Sequence, residues 1–405
     1  MYIVHVGNPY FPEGNAAVQR MRITYRALKE AGFSTLIINK ESYRKEPDLK
    51  RANRFEGIPF VFTSTSLTKP KLWIAFRWNR LSGVLGELNL LFKRRKTIGA
   101  IILYNTSSFT ELLYYRLVSW LMGFKLVFQY VEYRSSIRVA SPARRISNYL
   151  FDSYCSYFAD GAIVISEFLR NVILKRNSKL PVVKLPAICN FNEFTSIPAL
   201  DTPYPYFLYC GTAEYLPVIT FILELYEKIR EKNLYNGYLK LVVGANNPQS
   251  LVLIREMIDK CKYGNNIILL SGIPYTQLIA SYKSADLLLI PLRNTLQDLA
   301  RFPHKISEYT ASKRPLISTN IGEPQYYFKN GTSAILAEAY TIDSYIESLA
   351  KILPDMGSLD KIGYNGYEVG INNFHYQSNI EALRIFFEKL CGKKADKAIA
   401  LEVAV

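Results

Sequence analysis

The stretch of residues 285–323 holds side chains whose types and spacing could bind a phosphorylated ligand. Pro303 is predicted to open a short helix, because its fixed φ suits the first helical position and its missing N–H is not needed there. Lys305 and Glu308, three residues apart, then share one face near the positive end of that helix. The basic residues at this end are Arg301, His304 and Lys305. Because such an end binds anions and a carboxylate one turn further in can accept two hydrogen bonds from a ribose diol, the stretch predicts a cradle for a nucleoside diphosphate.

A second interpretation of the same residues stays open. A capped helix on which Arg301 and Lys305 form a surface ion pair with Glu308 has the same spacing. Short motifs of this kind also match by chance, so the spacing alone does not decide between a ligand site and a surface pair.

Two short apolar runs flank the predicted helix, at residues 287–291 and 316–319. Parallel neighbours in a sheet cannot be joined by a tight turn and need a crossover of helix length. The stretch therefore predicts a β-α-β unit. Strand-length apolar runs recur through the chain with helix-length segments between them, which favours an α/β fold with parallel sheets.

The motif as a whole resembles the donor-binding signature of family 4 retaining glycosyltransferases, the glycosyl transferases group 1, which have the GT-B fold. The matching residues are Phe302-Pro303-His304-Lys305, Glu308-Tyr309, Arg314-Pro315-Leu316 and Gly322-Glu323. The resemblance implies that Glu308 holds the ribose of a nucleotide sugar. It also implies a donor-binding role for the basic residues of the motif and for Gly322 and Glu323.

One departure from the family pattern concerns the sugar. The family often has a second Glu eight residues before the position of Glu308, and Ala300 stands there in this chain. Asp298 or Arg301 are the residues that could replace it. The group that contacts the transferred sugar therefore stays unassigned.

A second departure concerns the diphosphate. Many members carry an Arg just after the position of Gly211 and a Lys about five residues later, but Thr212 and Pro217 stand here. The groups that could neutralise the diphosphate instead are Lys305, Arg301, Arg293 and the helix end at Pro303. Gly211 and Thr212 can still donate hydrogen bonds, and Gly244 follows a neighbouring predicted strand, so these three join the predicted donor-binding set.

Two further segments are predicted to face a ligand from the first half of the chain. A strand at residues 2–6 runs into a Gly-rich loop, where Gly14 permits close approach and Asn15 can cap the next helix. Glu132 and Arg134 follow another predicted strand, on the ligand side of a parallel sheet. The resemblance makes them acceptor-side groups, with Glu132 a possible catalytic group. A plain β-α turn and an exposed ion pair are the alternatives for these two segments.

Composition limits the class of protein. A chain of 405 residues is too long for one ordinary core and predicts two domains. The five cysteines are scattered without a C-x-x-C pair, and there are only three histidines, so neither disulfides nor a histidine-based metal site are expected. There is also no Asp-x-Asp motif. We therefore expect no metal and no cofactor, since the nucleotide sugar is a substrate.

The net charge of +16 predicts an anionic partner. Residues 69–96 combine apolar residues at helical spacing with basic residues on both sides, which is typical of a helix that lies on an anionic membrane. The predicted membrane residues are Trp73, Trp78, Lys93, Arg94, Arg95 and Lys96. A core helix that ends in a solvated basic run is the alternative. Nucleic acid is not the expected partner, because no nucleic-acid-binding motif accompanies the charge.

The predicted organisation is an N-terminal Rossmann-like acceptor domain at residues 1–195 and a Pro-rich linker at 196–205. A C-terminal Rossmann-like nucleotide-sugar domain follows at 206–377. The last predicted helix, 378–392, crosses back to the first domain, and 393–405 form a tail. The resemblance implies that the two domains face each other across a cleft.

The sequence thus predicts a retaining glycosyltransferase that moves a sugar from a UDP- or GDP-linked donor to a hydroxyl acceptor, without metal and without a named nucleophile. The expected acceptor is a lipid-linked glycan of a bacterial surface polysaccharide such as capsule, exopolysaccharide or O-antigen. Neither a signal peptide nor a membrane-spanning run is recognisable, so we expect a cytoplasmic protein peripheral to the inner face of the cell membrane. The alternatives are a nucleotide-sugar epimerase of the same fold and a non-catalytic nucleotide-binding or interaction protein.

Overall fold

The computed structural model describes residues 1–7, 11–12, 16–41, 52–104, 108–245 and 247–392, and it divides into two compact units. The first unit is Met1–Ile188 together with the C-terminal segment that begins at Tyr376, and the second is Cys189–His375. Each unit is built around its own sheet. The predicted fold class, two Rossmann-like α/β units with parallel sheets, is confirmed. The domain boundaries drawn from the sequence, with a linker at 196–205, stay a prediction.

Among its described residues, the first unit has eight strands in the order β3-β4-β2-β1-β5-β6-β7-β8. The strands are β1 (Tyr2–Val6), β2 (Ser34–Asn39), β3 (Ala52–Phe55), β4 (Ile58–Phe62), β5 (Ile98–Leu103), β6 (Lys125–Tyr130), β7 (Gly161–Val164) and β8 (Val182–Lys184). The helices are α1 (Ala16–Glu30), α2 (Trp73–Arg94), α3 (Phe109–Met122), α4 (Pro142–Tyr154), α5 (Glu167–Arg176) and α15 (Ile380–Cys391). All neighbouring strands are parallel except the β3-β4 hairpin.

The core of the first unit shows how its strands and helices fit together. Helices α1 and α15 pack on one face of the sheet, where Ile3, Ile102 and Phe387 are buried in a common cluster. Parallel strands that are covered by helices on both faces are expected to read as nearly continuous apolar runs. The apolar runs of β1, β5 and β6 fit that expectation.

The second unit has six parallel strands in the order β11-β10-β9-β12-β13-β14. The strands are β9 (Tyr206–Thr212), β10 (Tyr238–Gly244), β11 (Ile267–Leu270), β12 (Leu287–Ile290), β13 (Leu316–Thr319) and β14 (Ile335–Ala337). The helices are α6 (Phe191–Ser196), α7 (Leu216–Glu231), α8 (Pro248–Asp259), α9 (Tyr275–Lys283), α10 (Leu296–Ala300), α11 (His304–Ala311), α12 (Pro324–Tyr327), α13 (Ile342–Ala350) and α14 (Met356–Asn373).

The strand order of the second unit reverses its direction between β9 and β12. Ligands of open α/β sheets bind beyond the carboxyl ends of the strands at such a reversal. Buried Tyr309 ties the two strands together, because its hydroxyl accepts from the backbone N–H of Cys210 at 3.0 Å and donates to the carbonyl of Leu289 at 3.4 Å. The carboxyl edge at β9 and β12 is therefore the place to look for a site.

The chain between β12 and α11 is more than a loop. It contains the short helix α10, whose N-cap Thr295 accepts a hydrogen bond from the backbone N–H of Asp298 at 3.3 Å. Pro303 stands one residue before the first helical residue of α11 and not at that residue. The prediction therefore placed Pro303 one position too far into the helix. In the structure Pro303 is extended, and the helix begins immediately after it. Elsewhere, no helix in the described ranges is both long and apolar enough to cross a membrane.

Candidate functional site

Two exposed strand ends form the floor of the site in the second unit. Strands β9 and β10 pair in parallel so that Thr212 lies opposite Gly244, each at the last position of its strand. Both residues are exposed, and Gly211 beside them is half-buried. Their backbone groups and the hydroxyl of Thr212 are thus accessible to a ligand at the carboxyl edge, which is where the sequence predicted them to be useful.

A buried carboxylate holds two arginines over this edge. Asp298 is 0% exposed, and its Oδ2 accepts from the Nε of Arg293 at 2.8 Å. Its Oδ1 lies 2.7 Å from the Nη2 of Arg301. The hydrogen bond that Arg293 donates to Asp298 raises the pKa of Arg293 above its ordinary value. Because its oxygens are taken by two cations, Asp298 positions these arginines instead of presenting its own charge to a ligand.

Arg301 reaches from this carboxylate to the loop that follows β9. Its Nη1 donates to the hydroxyl of Tyr215 at 2.6 Å, and its guanidinium lies 4.6 Å from the centre of the same ring. The guanidinium of Arg293 is 5.8 Å from that ring. Tyr215 lies between Thr212 and Pro217, the two positions where the resembled family carries cations. The positive charge near this loop is therefore supplied by Arg293 and Arg301, which belong to the segment between β12 and α11.

Glu308 lies on α11 and is buried, with 8% of the residue exposed. Its Oε2 accepts from the Nζ of Lys305 at 2.8 Å and from the hydroxyl of Tyr282 at 3.2 Å. Its Oε1 accepts a longer bond of 3.4 Å from Tyr275. A carboxylate has about four acceptor positions, so Glu308 retains capacity for a ligand hydroxyl. The predicted contact of Lys305 and Glu308 exists, but it is a buried pair, and Arg301 pairs with Asp298 and not with Glu308.

The charges of this pair stabilise each other. Burial opposes ionisation of both groups, but the ammonium of Lys305 outweighs it and lowers the pKa of Glu308 below its ordinary value. Burial likewise opposes the charged form of Lys305, and the carboxylate of Glu308 outweighs it and raises the pKa of Lys305. The pair is therefore charged in the neutral pH range, and a ribose would meet an ionised carboxylate.

The remaining predicted donor-side residues lie in the same part of the unit. Gly322 has a φ of 60°, a left-handed conformation that glycine adopts without strain, and it lies against the carbonyl oxygen of Asp298 on α10. Glu323 is buried immediately before α12. His304 is the first residue of α11 and is half-buried. Ala300 is fully buried, so the position of the family's second Glu is part of the packed interior here.

The predicted acceptor-side residues belong to the first unit. Arg134 is buried, its guanidinium lies 3.9 Å from the ring centre of Phe151, and burial lowers its pKa to about 10. Glu132 is half-buried two residues earlier. The backbone N–H of Arg134 donates to Asp152 at 3.1 Å. Gly14 and Asn15 of the predicted N-terminal loop lie outside the described residues.

The predicted membrane residues also belong to the first unit. Trp73, Trp78, Lys93 and Lys96 are exposed, and Arg94 and Arg95 are half-buried. As for metal ions, no group of three His, Cys, Asp or Glu side chains suited to one occurs in the part of the chain that the structure describes.

Sequence reasoning missed the tyrosines that complete the site. Tyr215, Tyr275 and Tyr282 contact Arg301 or Glu308 from other elements, and Tyr282 is 26 positions away from Glu308. The chain contains 30 tyrosines without a distinguishing local pattern, so no signal separated these from the rest. The cap of α10 had a signal, because Thr295 followed three residues later by Asp298 is a capping pattern.

Comparison with known proteins bears on the family and the fold of the chain. Residues 190–369 match the family model described as Glycosyl transferases group 1. No match was found among curated proteins. Among solved structures, the sucrose-phosphate synthase of Thermosynechococcus elongatus has a TM-score of 0.72 at 16% identity, over 96% of this chain and 99% of that chain. A glycosyltransferase from Rickettsia africae has a TM-score of 0.69 at 14% identity, over 96% and 98% of the two chains.

A third similar structure contains a nucleotide. Anabaena HepE in complex with UDP has a TM-score of 0.67 at 12% identity, over 96% of this chain and 99% of that chain. Identities this low establish the fold, which is GT-B. The family model confirms the resemblance of the motif at the level of group 1.

Proposed function

We propose that the protein moves a sugar from a nucleotide sugar to a hydroxyl acceptor. The reason is that residues 190–369 match the family model of the glycosyl transferases group 1 and that the fold is GT-B. The observations that carry the proposal are the convergence of Arg293 and Arg301 on Tyr215 and the charged pair of Lys305 and Glu308 in the same unit. These charges lie at the strand reversal, where a parallel sheet binds its ligand.

In this proposal the donor nucleotide lies along the carboxyl edge of the second unit. Glu308 accepts a hydrogen bond from a ribose hydroxyl, since it is ionised and three of its about four acceptor positions are occupied by Lys305, Tyr282 and Tyr275. Arg301, Arg293 and Lys305 neutralise the diphosphate, assisted by backbone groups of Gly211, Thr212 and Gly244. Gly322, Glu323 and His304 complete the surroundings of the donor.

Transfer requires that the departing nucleoside diphosphate be stabilised as its charge develops. Fixed guanidinium groups do this without reorganising, and they act most strongly where water is excluded. We therefore propose a reaction without a metal, with retention at the anomeric carbon, by attack of the acceptor on the face that the leaving group vacates. No enzyme nucleophile is assigned. Retention in this proposal is supported by the motif and by likeness to a trehalose-6-phosphate synthase structure that was used to study transfer with retention, at 14% identity.

The proposed donor is UDP- or GDP-linked, as for a family 4 enzyme. Structures of the similar Anabaena HepE hold UDP and UDP-glucose, which favours the uridine nucleotide. The proposed acceptor is a lipid-linked glycan in the synthesis of a bacterial surface polysaccharide, such as capsule, exopolysaccharide or O-antigen. Glu132 and Arg134 are its proposed contacts, on a protein peripheral to the cytoplasmic side of the membrane.

Thermal stabilisation by UDP, GDP, ADP and CMP tests the donor assignment. A nucleotide present at about 100 times its dissociation constant should stabilise the fold by about 2.7 kcal/mol. We expect one nucleotide class to do so, and Glu308→Ala to abolish the effect. Glu347→Ala, which removes an exposed carboxylate of the same unit, is the control that should keep it.

The reaction itself is tested with the sugar nucleotide of the class that binds. Formation of a glycoside with the donor's anomeric configuration supports retaining transfer. A change of donor stereochemistry without acceptor would indicate an epimerase, and the absence of turnover with every donor would indicate a non-catalytic protein. Either of these results would overturn the proposal.

A further inference from the structure

Helix α2 of the first unit has its polar side turned inward. The residues of α2 that are buried are Asn79, Gly83, Glu87 and Leu91. Asn79 accepts from the backbone N–H of Ser66 at 2.6 Å, and Glu87 accepts from the hydroxyl of Tyr115 at 3.0 Å. A surface helix normally buries its apolar stripe and exposes its polar side. On α2, two of the four buried residues, Asn79 and Glu87, are polar, which does not favour the core-helix alternative for this segment.

The outward side of α2 is an apolar stripe along the whole helix. Its residues are Ile74, Trp78, Leu81, Leu85, Leu88 and Phe92. All of them are exposed except Leu88, which is half-buried. Their spacing of alternately four and three residues keeps them on one face. A continuous exposed apolar stripe of this length is not expected on a surface that faces only water.

The neighbouring helix α3 continues this surface. Its residues Leu113, Leu117, Trp120 and Leu121 also point outward, and Trp120 is 71% exposed. Helices α2 and α3 contact each other, and α3 contacts α4. We call the α2 stripe and these four residues of α3 the outer face. On α4, Ile146 and Tyr149 are exposed as well.

The exposed charges around the outer face are mainly basic, although Arg80 of α2 pairs with Glu41 at 2.8 Å. On α2 the only acid is Glu87, which is 0% exposed, whereas Arg77, Arg80 and Lys93 are exposed. On α4, Arg144 and Arg145 are exposed. Some of these cations lie directly beside apolar groups, as the guanidinium of Arg77 does at 5.2 Å from the ring centre of Trp73. Long basic side chains beside apolar ones can keep their charges in a polar layer while the stems lie along the apolar surface.

We propose that the outer face docks on a lipid bilayer that contains anionic lipids. The apolar stripes enter the boundary between headgroups and acyl chains, the tryptophans lie at that boundary, and the cations meet lipid phosphates. A second copy of this chain is a poorer occupant, because the exposed cations Arg77, Lys93, Arg144 and Arg145 would oppose the same cations of the other copy, and α2 exposes no acid.

Helix α4 connects this surface to the proposed acceptor residues. On its inner side, Asn148 donates to the carbonyl of Arg134 at 3.1 Å and Asp152 accepts from the backbone N–H of Arg134. On its outer side it carries Ile146 and Tyr149. When the outer face is docked, Glu132 and Arg134 are therefore separated from the lipid by the thickness of one helix, roughly 10 Å. This step rests on the proposed function, since it gives a lipid-linked acceptor access to the site.

Tryptophan fluorescence tests the docking surface directly. The chain has three tryptophans, and all lie on α2 or α3 with exposures of 68% for Trp73, 60% for Trp78 and 71% for Trp120. Vesicles of phosphatidylcholine with phosphatidylglycerol at physiological ionic strength should shift the emission to shorter wavelength. The protein should sediment with these vesicles and much less with pure phosphatidylcholine.

Exposed apolar residues provide variants that should fold normally. Leu85→Ser and Leu121→Ser should each reduce partitioning onto anionic vesicles by about tenfold, from the apolar area lost to the lipid. Reversing the charge of Lys93 should reduce it by about fivefold or more, with an effect that salt weakens. Val252→Ser, at an exposed apolar position of α8 in the second unit, is the matched control and should bind as the wild type does.

Two results would overturn the docking proposal. One is the absence of a spectral shift and of sedimentation with anionic vesicles. The other is a wild-type dimer that Leu85→Ser dissociates while vesicles have no effect, which would make the outer face an interface between two copies. Stabilisation by nucleotides is measured in the same preparations, so failure of membrane docking is separable from failure of the proposed donor site.

Discussion

Two helices, one in each unit, carry a buried glutamate, and the two carboxylates are in opposite situations. Glu308 on α11 is paired with Lys305 at 2.8 Å, and its pKa is lowered. Glu87 on α2 is 0% exposed and is held by the hydroxyl of Tyr115, and burial raises its pKa to about 7. The nearest cations influence Glu87 only at a distance, since Lys40 pairs with Glu111 at 2.7 Å.

The difference shows what each region is built to meet. At the edge of the second unit, Asp298 and Glu308 are each matched by cations, so these charges are fixed in place for a polar ligand. On α2, the carboxyl group of Glu87 is buried in its neutral form, and the opposite side of the helix is apolar and faces outward. The first arrangement suits a charged small molecule, and the second suits a surface that excludes water.

The largest effect is expected from Asp298→Ala. It leaves Arg293 and Arg301 without their shared buried partner, and breaking a buried pair in this way costs about 3–5 kcal/mol. Urea unfolding monitored by circular dichroism measures the loss. Glu347→Ala, which breaks the exposed pair with Lys351, is expected to change the free energy of unfolding by no more than about 0.5 kcal/mol. Equal losses for both variants would remove the distinction between paired interior charges and surface pairs.

Glu87→Gln tests the inward polar side of α2. Because the folded protein keeps the proton on Glu87 up to about pH 7, the free energy of unfolding of the wild type falls as the pH rises from the ordinary carboxyl pKa towards 7. The variant has no such proton. Its stability relative to the wild type should therefore rise across that window, by about 3 kcal/mol in total.

The measurement is urea unfolding of both proteins between pH 4.5 and 8, a range taken from the ordinary carboxyl pKa of about 4.3 and the raised value of about 7. A difference between the two proteins that does not change with pH would contradict the burial of a neutral carboxyl group on α2.

Glu308→Gln should show the opposite dependence on pH. The lowered pKa means that the contribution of this carboxylate to stability is fully present above its ordinary pKa of about 4.3 and is lost as the pH falls through the lower value in the folded state. At pH 7 the variant should be less stable by about 1–3 kcal/mol, since Lys305 loses its charged partner.

Acid should reduce the difference in the free energy of unfolding between Glu308→Gln and the wild type. The same unfolding titration measures this difference when it is extended below pH 4, under the ordinary carboxyl pKa. If the gap instead widens in acid, the charged state assigned to the pair is wrong.

The sequence predicted the strands well because buried parallel strands are short apolar runs. The predicted range of β13, residues 316–319, is the range in the structure, and the shared face of Lys305 and Glu308 follows from helical spacing alone. The hairpin of β3 and β4 was not predicted. Its turn at Glu56-Gly57, where both residues have positive φ, is the local signal that could have found it.

Other features depend on tertiary packing and have no local signal. Periodicity predicts that α2 has an apolar side, but only the partners of Asn79 and Glu87 determine that this side faces outward. For the same reason the sequence could not show that Asp298 lies inside the unit between two arginines, or that Tyr215 receives Arg301. Residue spacing predicts which side chains share one face of a helix, but the tertiary fold determines what that face contacts.

The measurement that tests the account most directly is calorimetric binding of the stabilising nucleoside diphosphate and of the corresponding nucleoside, with the wild type, Glu308→Ala and Arg301→Ala. Glu308→Ala should lose about tenfold or more in affinity for both ligands, because it removes the ribose contact. Arg301→Ala should lose a similar factor for the diphosphate only. If both variants fold and bind the two ligands as the wild type does, the donor does not occupy the carboxyl edge of the second unit and the central claim is wrong.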